Sequence, residues 1–481
     1  MNRYSVLYSP KFVRQLIYML QSVEYDTWQY LRWFWLQGDY SELKNKRTKP
    51  TPKSRLLVFS GAVIYLVLAS VAAWLFLWLV SDSSLPRTLL LVGFLALIPV
   101  LLAHLLAGVS FIGRWLIQKP LEIIRKRRIK DVFSDHPGKV IVIAGSYGKT
   151  SMKHMLGAVL GAKLKVAATS GNFNTPAGIA RFASSLSGDE DVLIVEAGEY
   201  RPGDVAFICD MVNPDIGFIT GVNEQHLSHM KSVANALTTV FELAEALPEK
   251  AALYVNAESQ HLEGHIQKAD LAYSRDGITG FKISKFATNL GGTKLTIKPK
   301  KGQGFEISTS LMGLHQAGPI AAAVHLADSL GLKPAEIKKG FNSMEAHNRR
   351  FKPQEIDGVA VIDDSYNGNP DGFLAGIEFL KRLKAKRKVY VTPGMIELGR
   401  LSPDAHFAVG QKLASSGVDL VILNKNPATG QIDAGLKAGK YKGETAWLGE
   451  QDNFLEHISD FTQKGDVVLL QNSPRERFFY L

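Results

Sequence analysis

The sequence predicts an α/β protein: a phosphate-loop nucleotide-binding domain and a Rossmann-like C-terminal domain, preceded by a two-helix transmembrane hairpin. Three observations predict it. Residues 56–80, LLVFSGAVIYLVLASVAAWLFLWLV, and 88–113, TLLLVGFLALIPVLLAHLLAGVSFIG, are long apolar runs. At 141–156, IVIAGSYGKTSMKHML, an apolar strand pattern breaks into a glycine loop and enters a helix. Further on, KRKVYVTPGMI, VDLVILNKN and GDVVLLQNS alternate with helical stretches, the pattern of a parallel sheet.

The first apolar run carries no charge, and His104 is the sole ionisable group of the second. Each exceeds the roughly 20 residues a membrane span needs. The short SDSSLPR between them makes a hairpin. Lys44, Lys46, Arg47, Lys49, Lys53 and Arg55 precede it, and Lys119, Arg125, Lys126, Arg127, Arg128 and Lys130 follow. Basic flanks stay cytoplasmic. The reading is therefore a multi-pass protein of the cytoplasmic (inner) membrane with everything after 118 cytosolic. Runs that begin more than 50 residues in are not a cleavable signal.

The net charge of +11 is unevenly spread: residues 1–130 carry +12 and the remainder −1. A nearly neutral soluble part argues against a nucleic-acid binder. One cysteine, Cys209, excludes an internal disulfide. Residues 10–37 are aromatic and amphipathic, the pattern of a helix on the inner leaflet or of one packed on the cytosolic domain. For His104 two roles stay open, a functional intramembrane group and a neutral ring packed on a neighbouring helix.

From 139 the chain turns to nucleotide chemistry. In GSYGKTS the residues are Gly145, Ser146, Tyr147, Gly148, Lys149, Thr150 and Ser151. The glycines let backbone N–H groups face phosphate oxygens, Lys149 reaches terminal phosphates, and the Thr150 hydroxyl suits Mg²⁺. The spacing is GxxGKT rather than the commoner GxxxxGK[ST], since Ile143 stands where the earlier glycine belongs. DVLIVEAGEYRPGD (191–204) is a strand ending at Glu196, and DIGFITGVNEQHLSHM (215–230) a strand followed by Asn223, Glu224 and His226. Carboxylates at strand C-terminal ends are where open α/β sheets build sites. KISKFATNLGGTKLTIKPKKGQGFEISTSL (282–311) reads as hairpins with Gly-Gly and Lys-Gly turns, and AGPIAAAVHLADSLG (317–331) as a helix.

The series GSYGKTS, TSGNFNTPAGI (169–179), VEAGEYRPGD, ITGVNEQHL and YVNAES (254–259) resembles the central domain of the Mur ligases. VIDDSYNGNPDGF (361–373), GMIELG (394–399) and His406 resemble the C-terminal domain of one branch, which joins D-alanyl-D-alanine to a UDP-N-acetylmuramoyl-tripeptide. The resemblance implies a central ATP-binding domain over 138–346 and a C-terminal domain over 347–481. Before these lie an amphipathic segment (1–54), the hairpin (55–117) and a basic linker (118–137). The family's usual N-terminal domain, which grips the UDP end of the precursor, has no counterpart in 1–130.

What the resemblance implies is an ATP-dependent amide ligase of peptidoglycan synthesis. A carboxylate of a nucleotide- or lipid-linked cell-wall precursor takes the γ-phosphate of ATP, and the amine of an amino acid or dipeptide displaces it. By the resemblance, Lys149 grips the phosphates, Thr150 and Glu196 hold one Mg²⁺, and His226 holds a second. Asn172, Asn174 and Thr175 line the acceptor side. Arg349 reaches the phosphates when the domains close, His315 lies on the adenine side, and Asp363 contacts the ribose. Tyr366, Asn367 and Asn369 form the facing wall. Two departures stand out. Where the family carries a carbamate-modified lysine that binds the second metal, this chain has Val240. GLHQAGP (313–319) has Gln316 and Pro319 where asparagines are expected. Two other readings stay open, a non-catalytic ATP-binding membrane scaffold working with other envelope-synthesis proteins, and a ligase of the folylpolyglutamate type.

Overall fold

The computed structural model describes residues 5–9, 11–23, 25–37, 40, 48–81, 84–171, 173–223, 230, 232–268, 271–345, 350–366 and 368–474. It divides into two compact units, Met1–Ile124 and Arg125–Leu481.

The first unit is helical. Helices α1 (Phe12–Ser22) and α2 (Thr27–Leu36) precede the long α3 (Pro52–Ser81) and α4 (Leu85–Gly113). The single helix expected over 10–37 is two, because the Asp26 carboxylate caps a fresh start by accepting from Gln29 N at 3.0 Å. Phe12, Leu16 and Ile17 of α1 and Tyr30 and Trp33 of α2 are buried. The sequence left two partners open for this segment, the leaflet and the cytosolic domain; the partner within this unit is the apolar hairpin. Val13 lies at Gly61 of α3, where any Cβ would come within 2.5 Å of it. His104 packs too: Nδ1 meets the Val100 carbonyl at 2.8 Å, and the ring lies 5.9 Å from Phe34 and 5.7 Å from Trp35. On α3 a narrow seam spaced by seven, Ser54, Gly61, Leu68 and Leu75, is buried, while Phe59, Leu66, Trp74 and Leu77 are exposed. By length and composition, Pro52–Val80 and Leu85–Ile117 are long and apolar enough to cross a membrane.

The basic stretch expected as a linker is mostly helix α5 (Lys119–Ser134). Its second half belongs to the second unit, where Ile129 and Phe133 are buried and Phe133 lies 6.3 Å from the Phe182 ring.

The second unit holds two sheets. The larger has ten strands in the order β10-β9-β8-β7-β6-β5-β4-β1-β3-β2. Strands β1 (Lys139–Ala144), β2 (Val166–Ala168), β3 (Val192–Glu196), β4 (Ile216–Ile219), β5 (Ala252–Asn256) and β6 (Leu271–Ser274) pair in parallel. Hairpin strands β7 (Gly277–Ile278), β8 (Phe281–Asn289), β9 (Gly292–Pro299) and β10 (Phe305–Thr309) extend it antiparallel. Alternation along β1 feeds both faces. Ile141 and Ile143 pack with Met152 and Leu156 of α6 (Lys149–Leu160) and with α10 (Ala317–Ser329) and α11 (Pro334–Asn342). Val140 and Val142 pack with α5, α7 (Pro176–Ala183), α8 (Asp204–Val212) and α9 (Val233–Ala246). Since β1 lies between β3 and β4, the chain diverges at its C-terminal end, which opens a crevice there.

The second sheet has the order β11-β12-β16-β13-β14-β15. Strands β12 (Val359–Asp364), β13 (Arg387–Thr392), β14 (Leu420–Asn424), β15 (Glu444–Leu448) and β16 (Asp466–Gln471) are parallel, and β11 (Lys352–Ile356) is an antiparallel edge. Helices α12 (Pro370–Arg382), α13 (Ser402–Ala414) and α14 (Pro427–Ala438) cover one face.

His406 of α13 is structural. Its Nε2 accepts from Met395 N at 2.7 Å and its Nδ1 meets the Ser402 carbonyl at 2.6 Å. Burial pushes its pKa down to about 4. His406→Ala should cost about 1–3 kcal/mol by orphaning the Met395 N–H, read as a lower unfolding midpoint. A neutral buried imidazole takes up no proton until pH nears 4, whereas the unfolded chain takes one up below about 6.5, so its contribution is lost as pH falls through that window. The midpoint of the variant should therefore fall less steeply than wild type between pH 6.5 and 4.

Candidate nucleotide site

The loop after β1 turns on glycines: Gly145 and Gly148 have φ of 137° and 79°, where side chains are strained. Gly148 caps α6, so the positive end of α6 faces the crevice. The loop is braced by the residues just after β4: Ser146 N donates to the Gly221 carbonyl at 2.7 Å, and the Thr220 hydroxyl donates to the Tyr147 carbonyl. Tyr147 lies across Gly221, where an added Cβ would come within 2.3 Å of its ring.

Behind the loop two lysines and two glutamates interlock. Lys149 Nζ donates to Glu199 Oε1 at 2.7 Å and to the Gly145 carbonyl. One turn on, Lys153 Nζ lies 2.9 Å from Glu196 Oε2 and donates to the Gly171 carbonyl. The Thr150 hydroxyl lies 3.1 and 3.0 Å from Glu196 Oε1 and Oε2, and Glu196 N donates to the Thr169 hydroxyl at 3.2 Å. Lys153 and Glu196 are 1% and 2% exposed, so each is the other's compensation for lost hydration. A hydroxyl beside a carboxylate is a hard oxygen set that suits Mg²⁺, which binds through one or two protein oxygens plus phosphates. No group of three His, Cys, Asp or Glu side chains able to hold a metal occurs among the described residues. The residues fit a metal shared with a nucleotide.

In front of the loop lies a cavity of about 580 Å³. Tyr147, Gly148 and Ser151 line one side, Arg275, His315 and Gln316 another, and Arg350, Asp364, Tyr366 and Asn369 the side of the second sheet. Burial pushes the His315 pKa down to about 4, keeping the ring neutral, and pushes the Asp364 carboxyl up to about 7. Gln471 Nε2 donates to Asp364 at 2.9 Å. The Arg350 guanidinium lies 4.3 Å from the Tyr366 ring centroid, and its Nε is buried without a hydrogen-bond partner. Asn223 spans the crevice: its amide donates to Asn369 Oδ1 at 2.8 Å and to Asp371 Oδ2 at 3.1 Å.

Thr150 meets Glu196, while Lys149, its chain neighbour, pairs with Glu199. Asp363 is absent from the cavity wall and its neighbour Asp364 lines it; Asp363 instead accepts from Ser365 N at 3.0 Å. Asn369 lines the cavity and caps α12 through Gly372 N at 3.0 Å. Thr175 caps α7, and the Asn174 carbonyl accepts from Gly198 N at 2.9 Å. Asn172, His226, Arg349 and Asn367 lie outside the described residues. Val240 is fully buried in the apolar layer formed with Val205, Met230 and Leu243. Lys153, Glu199, Arg350 and Asp364 join the site without a local sequence signal of their own.

Two family profiles match the chain: the Mur ligase middle domain over residues 143–327 and the Mur ligase glutamate ligase domain over 349–473. Proteins named UDP-N-acetylmuramoyl-tripeptide–D-alanyl-D-alanine ligase are similar. The one from Bacillus subtilis is 25% identical over 341 residues, 70% of this chain and 73% of the relative. The one from Synechocystis is 28% identical over 336 residues, 69% and 71%. Among solved structures, the MurF ligase from Thermotoga maritima in complex with ADP superposes with a TM-score of 0.64 at 24% identity, covering 75% of this chain and 82% of that one.

If Lys153 and Glu196 compensate each other, Lys153→Met alone should cost about 3–5 kcal/mol by stranding a buried carboxylate. Combined with Glu196→Gln it should cost less than the sum of the single changes, with a coupling of about 2 kcal/mol in a double-mutant cycle of unfolding.

Proposed function

Because the chain belongs to the Mur ligase family through its middle and C-terminal domains, we propose that it is a membrane-anchored, ATP-dependent ligase of cell-wall precursor synthesis. It joins a carboxylate on a nucleotide- or lipid-linked precursor to the amine of an amino acid or dipeptide. The observation that carries this reading is the convergence of Lys149, Thr150 and Glu196 behind a glycine loop that opens on a cavity faced by the second sheet.

Each part has a task in such a reaction. Loop N–H groups and Lys149 bind the phosphates and neutralise charge that builds on the transferred phosphoryl group. Thr150 and Glu196 would hold Mg²⁺, which supplies further neutralisation when bound. The acceptor carboxylate attacks the γ-phosphorus, ADP leaves, and the acyl phosphate is then opened by the amine with loss of phosphate. An acyl phosphate must be kept from water. Domain closure does that, and the Asn223 bridge to Asn369 and Asp371 favours it.

The anchor rests on α3 and α4, whose outward side chains are nearly all apolar and call for an apolar medium. Confinement to the membrane raises the effective concentration of a lipid-linked acceptor. One observation favours a different reading. Val240, buried in the core, offers no metal ligand, which fits a chain that binds ATP as a scaffold without turnover.

Full-length protein in detergent with Mg-ATP should release phosphate only when both an acceptor carboxylate and an amine are present. Lys149→Ala should lower nucleotide affinity by about 100-fold. Nucleotide binding without turnover across a broad panel would favour the scaffold. After alkaline washing of membranes the chain should stay in the pellet; release into the supernatant would contradict the anchor.

A further inference from the structure

The lysine of the phosphate loop already has an anionic partner. Lys149 Nζ donates to Glu199 Oε1 at 2.7 Å, and the two side chains are only 11% and 3% exposed. Glu199 does not ride on a loose loop. Just before it, Gly198 N donates to the Asn174 carbonyl at 2.9 Å. Just after it, Tyr200 N and Arg201 N donate to the Asp204 carboxylate at 3.1 and 2.8 Å. The same turn is tied to α9 by Glu242, whose carboxylate accepts from Gly203 N at 2.7 Å and Ala206 N at 2.9 Å. With the backbone held on both sides and the side chain buried, the Glu199 carboxylate stays beside Lys149 when another anion arrives.

We infer that Glu199 is a specificity-determining residue that makes the site select the magnesium complex of the nucleotide over the free nucleotide. The inference rests on Lys149 being the phosphate-binding lysine. A bare triphosphate that reaches Lys149 sets its oxygens beside the Glu199 carboxylate, where little water screens the repulsion. Glu196, three residues earlier at the end of β3 and also buried, adds to it, although Lys153 offsets that charge. A nucleotide that brings a divalent cation carries the compensating charge with it. Glu199 therefore penalises free ATP and leaves Mg-ATP little affected. A merely structural ion pair would do otherwise: its loss would weaken both forms alike.

The test is calorimetric titration of the full-length protein in detergent with ATP, in excess Mg²⁺ and in EDTA. Wild type should prefer the magnesium complex by more than about 30-fold. Glu199→Gln should tighten binding of metal-free ATP by about 10-fold and change Mg-ATP by less than about 3-fold, so the preference collapses. Glu199→Asp, which keeps the charge, should keep most of the preference, and it serves if the glutamine variant does not fold. An unchanged preference in Glu199→Gln, or equal weakening of both forms, overturns the inference, as does loss of the preference in Glu199→Asp. Lys149→Met separates the premise. If it binds ATP like wild type, the phosphate-site reading itself fails. If it loses ATP while Glu199→Gln keeps the preference, only the role of Glu199 fails.

Discussion

The clasp of Thr150 and Lys153 on Glu196 is the contact on which the site depends. It ties the first turn of α6 to the C-terminal end of β3, and through the Gly171 carbonyl it ties both to the loop after β2. Those elements are adjacent because β1 and β3 pair in parallel, with Ile143 opposite Glu196. The sheet register thus sets where the carboxylate stands relative to the phosphate loop. Burial makes the clasp demanding as well as firm, since neither charge has water to fall back on. Under the proposed function, a nucleotide and its cation would enter against this paired set.

Much of the fold was legible in the sequence because its signals are local. Two long uncharged runs, a strand that stops at a glycine loop, and strands that end in polar residues each announce themselves within about twenty residues. The break between α1 and α2 was also legible in principle, for Asp26 with Gln29 three residues on is a helix-start pattern. Lys153 and Glu199 were not. Each looks like an ordinary solvated residue, and only the pairing of β1 with β3 brings them to Glu196 and Lys149. Asp363 and Asp364 show a finer limit. Val359 and Val361 face one layer and Ile362 the other, so parity places Asp364, not Asp363, on the side of α12 and the cavity. The alternation was visible, but which phase faced the cavity was not.

The helical first unit obeys a different constraint. Its interior seam is narrow, and its outward side chains on α3 and α4 are nearly all apolar. The aromatic segment before it packs onto the hairpin through Gly61 and around His104, and of the two roles left open for that ring the contacts are those of packing, with Nδ1 bonded to the Val100 carbonyl of its own helix. The candidate site lies wholly in the second unit, and under the proposed function the first serves as the anchor.

The most direct test of the central claim is to titrate Mn²⁺ into full-length protein loaded with ADP and follow the metal by electron paramagnetic resonance. The account predicts one Mn²⁺ held tightly per chain only when nucleotide is present, with that binding lost in Glu196→Gln. Equal Mn²⁺ binding in Glu196→Gln and wild type, or binding indifferent to ADP, would contradict it.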